Sequence, residues 1–381
     1  MRPGLIITVA MLSIVAGIFS FHLSPVHAGE QPSASGYKVL APIRHGSLTV
    51  FPVVASKSYA TGEFLTLDEG LRSGEVVVTE YGNVGGLIRR HTTLEVRHDG
   101  AEVNRLVLIN NSNRPLLLLA GEIITGGKQD RVIGKDRIVP AESDPVDLSV
   151  FCVEPGRWVA TSDRFGASGT TYASGGSASS DGSAGTVMAQ PSVRAKAMGD
   201  KNQDQVWAEV RKQQQAMVTV EASASPVSTE EIQSTSSYAR VMENNDVKEK
   251  VNEIARPIEQ SYQSLVKQLR ERKAVGVVVA VNGRIIWADI FASTDLLEKY
   301  WPKLVRSYAS EAVVTRAKGG EASLAQAEDF LGNMEGRRET IESEPGVYRH
   351  TEVSGDGFKA FSLTSLLPKT RFDVHVAKMA E

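Results

Sequence analysis

The sequence predicts an α+β fold in which antiparallel, β-rich, sandwich-like sheets carry an inserted helical section. Three observations predict it. From Tyr37 to Trp158, short apolar runs are punctuated by turn residues, the signature of a sandwich or barrel rather than of alternating strands and helices. From about Asn202 the apolar spacing becomes helical. Beyond it the chain returns to strands, opening with two β-rich runs around Asn282-Gly283.

The N-terminus stands apart. Arg2 precedes the uncharged apolar run LIITVAMLSIVAGIFSF, and SPVHA then places small residues at Val26 and Ala28. This reads as a signal peptide over residues 1–28 cut after Ala28, which makes the protein periplasmic or secreted. The alternative is an uncleaved anchor, since spanning takes roughly 20 apolar residues; a membrane is a partner only in that case.

The expected strands are Leu48–Ala55, Glu75–Glu80, Leu94–Arg97, Arg105–Asn110, Leu116–Leu119, Arg137–Val139 and Asp147–Val153. In the last, Leu148, Val150 and Cys152 share one face, and Ser149 and Phe151 the other. A short helix, Leu67–Ser73, interrupts the series, with Thr66 as cap and Glu69 three residues on. Residues 166–186 are nearly all Gly, Ser, Ala and Thr, too little apolar surface to offset ordering entropy, and read as a disordered loop.

A helix then begins near Asn202 with QVWAEVRKQQQAM, and Ser223–Ser237 breaks the helical section. In the next helix Val247, Val251, Ile254, Ile258, Leu265 and Leu269 form one apolar stripe, a core face rather than a coiled-coil seam, which Pro257 should kink. VGVVVAV-Asn282-Gly283-RIIWADIF is a hairpin with a type I′ turn. Asp295 with Glu298 should cap the following helix, which runs past Pro302. A further helix around Leu324–Met334 precedes strands at Gly346–Val353, Gly357–Leu363 and the terminal FDVHVAKM. Early and late strands sharing sheets would make residues 37–381 one α+β domain; two domains meeting at the Gly/Ser loop is the alternative.

With 381 residues, a net charge of -3, 41% hydrophobic and 23% charged residues, the composition is ordinary for a globular protein and argues against a nucleic-acid partner. Cys152 is the only cysteine, so no intramolecular disulfide forms. Its apolar neighbours make it a small buried hydrophobe rather than a nucleophile. The scattered histidines make no metal pattern, so no metal and no cofactor are expected.

Two stretches concentrate functional groups. In LAGEIITGGKQDRV, Gly127 and Lys128 fit the end of a phosphate-loop pattern, but Glu122 occupies its first glycine position and Gln129 its hydroxyl position. Nucleotide hydrolysis is therefore not expected. A plain strand, a turn at Gly126-Gly127 and a solvated charged face would also explain the residues. The functional alternative uses Glu122 as acceptor or base, Gln129 as a two-sided hydrogen bonder, and Lys128 and Arg131 as anion clamps, with Asp130 between them. In CVEPGRW, the residues Glu154, Arg157 and Trp158 surround a Pro-Gly turn, either a surface turn or a second part of the site. Glu80 and His375, at strand ends, are weaker candidates.

Taken together and in order, GSLTVFPV, LTLDEGLRSGEVVVTE, LLLLAGEIITGGKQDRV, FCVEPGRW, QVWAEV, VGVVVAVNGRIIWADIF and KLVRSYASEAV resemble the ARPP-1 family. That family is named for association with ADP-ribosylglycohydrolases and rhodanese or phosphatase superfamily proteins. The resemblance covers most of the chain after the N-terminal segment and implies at most a link to ADP-ribose or nucleotide-like anionic ligands. An export signal departs from a cytosolic setting.

Three functional expectations follow. The first is a module binding a small anionic ligand, with Gly126, Gly127, Lys128, Gln129, Asp130, Arg131, Arg157 and Trp158 forming the pocket. The second is a hydrolase-like enzyme with Glu122 or Glu154 as general base. The third is a structural or protein-interaction module. The first two require Glu122, Arg131, Glu154 and Arg157 to converge.

Overall fold

The computed structural model describes residues 36–80, 105–157, 162, 164–166, 171–172, 178–179, 187–221, 226–269, 273–315 and 319–381. The expected signal peptide, the strand Leu94–Arg97 and Trp158 lie outside these residues. The described residues fall within one compact unit.

In chain order the first strands are β1 (Tyr37–Val39), β2 (Ile43–His45), β3 (Leu48–Ala55) and β4 (Leu65–Thr66). Helix α1 (Leu67–Ser73) follows, capped reciprocally by Thr66 and Glu69 as its sequence predicts. Then come β5 (Val76–Glu80), β6 (Arg105–Asn110), β7 (Leu116–Leu118), β8 (Glu122–Gly126), β9 (Arg131–Ile133), β10 (Arg137–Val139), β11 (Val146–Cys152) and β12 (Arg164–Gly166). Strand β12 pairs with both β5 and β8, so the order β12-β5-β6-β11-β9-β8 closes into a six-stranded barrel. Its interior is apolar: Val78, Leu106, Leu108, Ile124, Ile133, Leu148, Val150 and Phe165 are buried together. The alternation read in β11 is met, with Leu148, Val150 and Cys152 buried and Ser149 exposed.

The disordered-loop reading of residues 166–186 needs correction at its described positions. Gly166 is the last residue of the seam strand and pairs with Thr125. Short strands β13 (Thr171–Tyr172) and β14 (Ala178–Ser179) pair with each other. Strand β15 (Val187–Met188) then adds to the barrel beside β8.

The helical section comprises α2 (Pro191–Ala195), a π-turn over 196–200, α3 (Gln203–Glu221), α4 (Pro226–Ser234), α5 (Tyr238–Glu243) and α6 (Asn245–Gln268). Helix α4 lies inside the stretch read as a break; Pro226 opens it, and a proline missing its N–H costs nothing in a first turn. Helix α6 runs continuously through Pro257, and Val247, Val251 and Ile258 of its stripe are buried in the main core.

The hairpin strands β16 (Lys273–Val281) and β17 (Arg284–Phe291) meet at Asn282 and Gly283 with φ of 50° and 77°, as a type I′ turn requires. Helix α7 (Thr294–Val314) is capped by Ser293, not Asp295: Ser293 has extended backbone and accepts from the Leu296 amide, whereas Asp295 is already inside the helix. Helix α8 (Leu324–Gly332) and strands β18 (Arg337–Glu344), β19 (Tyr348–Gly355), β20 (Phe358–Ser365) and β21 (Asp373–Ala380) complete the chain.

The second large sheet is antiparallel, ordered β1-β3-β16-β17-β21-β20-β19-β18, with β2 also paired to β3. Early and late strands thus share it. Helices α6 and α7 pack on one face, and α8 covers the other. The fold is α+β, with antiparallel pairing in both large sheets.

The turn Leu119–Gly121, entering β8, joins the barrel to this sheet. The Ala120 amide donates to Asp136, the Ala120 carbonyl accepts from Arg194 Nε at 3.2 Å, and the Gly121 carbonyl accepts from the Ala189 amide. Gly121 has φ of 98°, and a Cβ there would sit 2.6 Å from the Arg194 side chain, itself held by a bidentate pair to Asp289. Gly121→Ala should therefore lose at least about 2 kcal/mol in urea unfolding. Gly346→Ala, at a similar φ of 75° with open space around it, should lose only about 1 kcal/mol. Equal losses would show that the Arg194 contact is immaterial.

Candidate functional site

Strands β8 and β9 are paired with Ile124 opposite Arg131, and the loop between them carries the Gly-Gly-Lys-Gln-Asp stretch. Gly126 and Gly127 have φ of 123° and 52°. A Cβ on Gly127 would lie 2.3 Å from the Phe165 ring, and one on Gly126 2.8 Å from the Arg164 carbonyl oxygen. The glycines thus let the seam strand close the barrel, a requirement independent of any ligand.

Asp130 organises the loop. Its carboxylate accepts from the Gly126 amide at 3.1 Å and from Ser237 Oγ at 2.6 Å, while its own amide donates to Glu154 at 3.1 Å. Burial, then the neighbouring Glu154 carboxylate, push the Asp130 carboxyl above its ordinary pKa against these hydrogen bonds. The Pro-Gly turn brings Arg157 onto the same group, 2.6 Å from the Glu154 carboxylate, 3.4 Å from Asp130 and donating to the Gly127 carbonyl at 2.8 Å. The expected union of the two stretches is thus built from Asp130, Glu154 and Arg157.

Arg131 points the other way. It shares a strand face with Ile133, whose side chain fills the barrel, and it is 1% exposed. One guanidinium nitrogen donates to the Gln129 carbonyl at 2.6 Å and the other lies 3.9 Å from Glu80. Glu80 also accepts from the Lys128 amide at 3.0 Å. Cys152 is buried, and burial pushes its thiol up to about 11, although Arg131 pulls it down. Gln203 grips the Cys152 backbone at both its amide and its carbonyl, a structural role.

Two side chains remain available. Gln129 is fully buried, yet among the described residues neither its amide nitrogen nor its oxygen has a hydrogen-bond partner. Lys128 is partly exposed, and among the described residues its ammonium forms no ion pair.

Glu122 does not join this group. It is fully buried, takes the Lys303 ammonium on one carboxylate oxygen and accepts from the Leu119 amide at 2.8 Å on the other. Lys303 in turn lies 2.7 Å from Asp68 and over the Tyr300 ring. Burial raises the Glu122 pKa, with Lys303 opposing it. Of the four residues required to converge, Glu154 and Arg157 meet at Asp130, Arg131 turns to the Gln129 carbonyl and Glu80, and Glu122 belongs to a separate ion network.

A third polar cluster had little signal in the sequence. His375 Nδ1 lies 2.6 Å from Asp136 and its Nε2 3.2 Å from Asp289. Arg194 grips Asp289 at 2.8 and 3.0 Å, Tyr308 donates to the same carboxylate, and Trp287 lies under the guanidinium at 4.4 Å. All of these side chains are buried. The signal available was an acid inside RIIWADIF and an imidazole inside FDVHVAKM, charges in runs otherwise fit for a core. Among the described residues no group of His, Cys, Asp and Glu is arranged to hold a metal ion.

A model of the ARPP-1 family, described as ARG and Rhodanese-Phosphatase-superfamily-associated Protein domain, matches residues 36–377. No curated protein and no solved structure matches the chain.

The buried histidines give a pH prediction. Burial alone would lower the His375 pKa, but Asp136 and Asp289 raise it to about 9, above the unfolded 6.5. The resulting stabilisation is complete below about pH 6.5 and lost as pH rises through about 9, on the order of 3 kcal/mol. Burial lowers His350 to about 4, so its cost appears only as pH falls from 6.5 toward 4. Urea unfolding across pH should show both arms, with His375→Gln removing the alkaline arm and leaving the acid one.

Proposed function

We propose, from the premise that this chain belongs to the ARPP-1 family, that it binds a small, singly anionic ligand at the loop Gly126–Arg131 and the turn Glu154–Arg157. The buried Gln129 amide carries the reading. Leaving a buried polar group unpaired costs about 1–3 kcal/mol, and a primary amide presents a donor and an acceptor side by side to a complementary ligand.

Charge balance narrows the ligand. Around the loop, Lys128, Arg131 and Arg157 face Glu80, Asp130 and Glu154, and both guanidinium groups are already engaged by carboxylates or carbonyls. Among the described residues Lys128 is the cation left for a ligand, which favours one negative charge over a pyrophosphate. The cluster supports a general base less well, because Lys303 occupies Glu122 and Arg157 occupies Glu154. The interaction-module reading draws on the helical section, whose apolar stripe is largely spent in the core.

The same proposal places the protein outside the cytoplasm, in the periplasm or secreted, on the strength of the apolar run and the small residues before Ala28. No described helix is long and apolar enough to cross a membrane.

A thermal-shift screen with nucleoside monophosphates, ADP-ribose, sugar phosphates, carboxylates and amino acids tests the site. A ligand at about 100 times its Kd should add roughly 2.7 kcal/mol to the native state. Lys128→Ala should weaken that ligand about tenfold, and Gln129→Leu should abolish the shift while leaving the unliganded protein at least as stable. A hit that persists unchanged in both variants, or no hit, removes the proposal.

A further inference from the structure

A separate cavity of about 290 Å³ opens between the second half of α6 and the first turns of α7. Tyr262, Val266, Leu297, Trp301 and Pro302 line it, and Tyr262 packs on Trp301 with ring centroids 4.3 Å apart. The lining is therefore chiefly apolar and aromatic. An engineered cavity of about 150 Å³ holds benzene, so this one has room for a substituted ring.

Two polar features mark it as more than a packing defect. Trp301 is 3% exposed, and among the described residues its indole N–H has no hydrogen-bond acceptor. A buried tryptophan ordinarily finds one. Pro302, inside α7, brings no N–H to the carbonyl of Glu298 four residues back, and Glu298 also lines the cavity. The rim carries one charge of each sign, Lys267 and Glu298, so nothing there selects for a net charge.

We propose that this cavity is a binding site for a neutral monocyclic aromatic molecule carrying a hydrogen-bond acceptor such as a ketone, aldehyde or ester carbonyl. The ring stacks among Tyr262, Val266 and Leu297, and the carbonyl accepts from Trp301 Nε1. None of the lining residues belongs to the loop Gly126–Arg131, so this site is independent of the one proposed above.

Titration of the full-length protein with acetophenone, ethylbenzene and benzoate, followed by calorimetry and tryptophan fluorescence, tests it. Acetophenone should bind at least about fivefold tighter than ethylbenzene, the worth of about one hydrogen bond. In Trp301→Phe, which keeps a ring but loses the N–H, that preference should disappear. Val266→Phe should fill the cavity and abolish binding of both, with an unchanged melting temperature reporting an intact fold, while Gln129→Leu should leave binding unaltered. Absence of acetophenone binding at about 10 mM overturns the site. So does a preference that survives Trp301→Phe, binding that survives Val266→Phe, or benzoate binding as tightly as acetophenone.

Discussion

The amide of Leu119 donates to Glu122 and the amide of Ala120 to Asp136, and each of those carboxylates is anchored by a cation from a different part of the chain. Lys303 of α7 holds Glu122. His375 of β21 holds Asp136 and reaches on to Asp289 of β17, which Arg194 of α2 grips in turn. A single turn is thus tied to four elements that are remote in sequence. Removing one member of such a buried set strands its partner uncompensated, at a cost of roughly 3–5 kcal/mol. Replacement of the whole set by apolar groups could cost far less, so what the set supplies is geometry: it admits one seating of the barrel turn against the sheet and its helices.

Helix α7 is the common member of these arrangements. Tyr300 donates to the Leu117 carbonyl, Lys303 reaches Glu122, Ser307 donates to the Ala189 carbonyl and Tyr308 reaches Asp289. Residues 300, 303, 307 and 308 recur at helical spacing on the same buried face as Leu296, Leu297 and Leu304, so polar hooks and core side chains are interleaved. In the sequence this helix is read only as capped by Asp295 with Glu298 and running past Pro302.

How much was legible follows from the range of the interactions. Helix α1 was readable because its reciprocal cap joins residues three apart, and the Asn282-Gly283 turn because its backbone conformation selects its residues. Strands β9 and β12, each three residues long, escaped because they hold no run of their own and exist only through barrel closure. In the site, Arg157 of the Pro-Gly turn reaches the Gly127 carbonyl of the loop, but the partner that fixes Asp130, Ser237, lies 107 residues away in a stretch read as a break. Glu122 misled for the opposite reason. It sits next to the loop in sequence, yet its carboxylate answers to Lys303, 181 residues on. The Gly-Gly pair looked like a ligand cradle and serves the seam strand, because a backbone that must approach closely needs glycine whether the neighbour is a phosphate or Phe165.

Strand β3 pairs with β1 and β2 locally, but its other edge is covered by β16, whose first residue is Lys273. At ribosomal speeds of about 5–20 residues per second, that edge waits roughly ten to forty seconds for its partner. Leu48–Ala55, LTVFPVVA, is apolar but for Thr49, the kind of segment that joins other chains when left open. Pro52 lies in its middle and withholds one backbone donor. Until β16 is made the edge of β3 stays open, and Pro52 is the one residue within that strand that weakens its pairing with another copy.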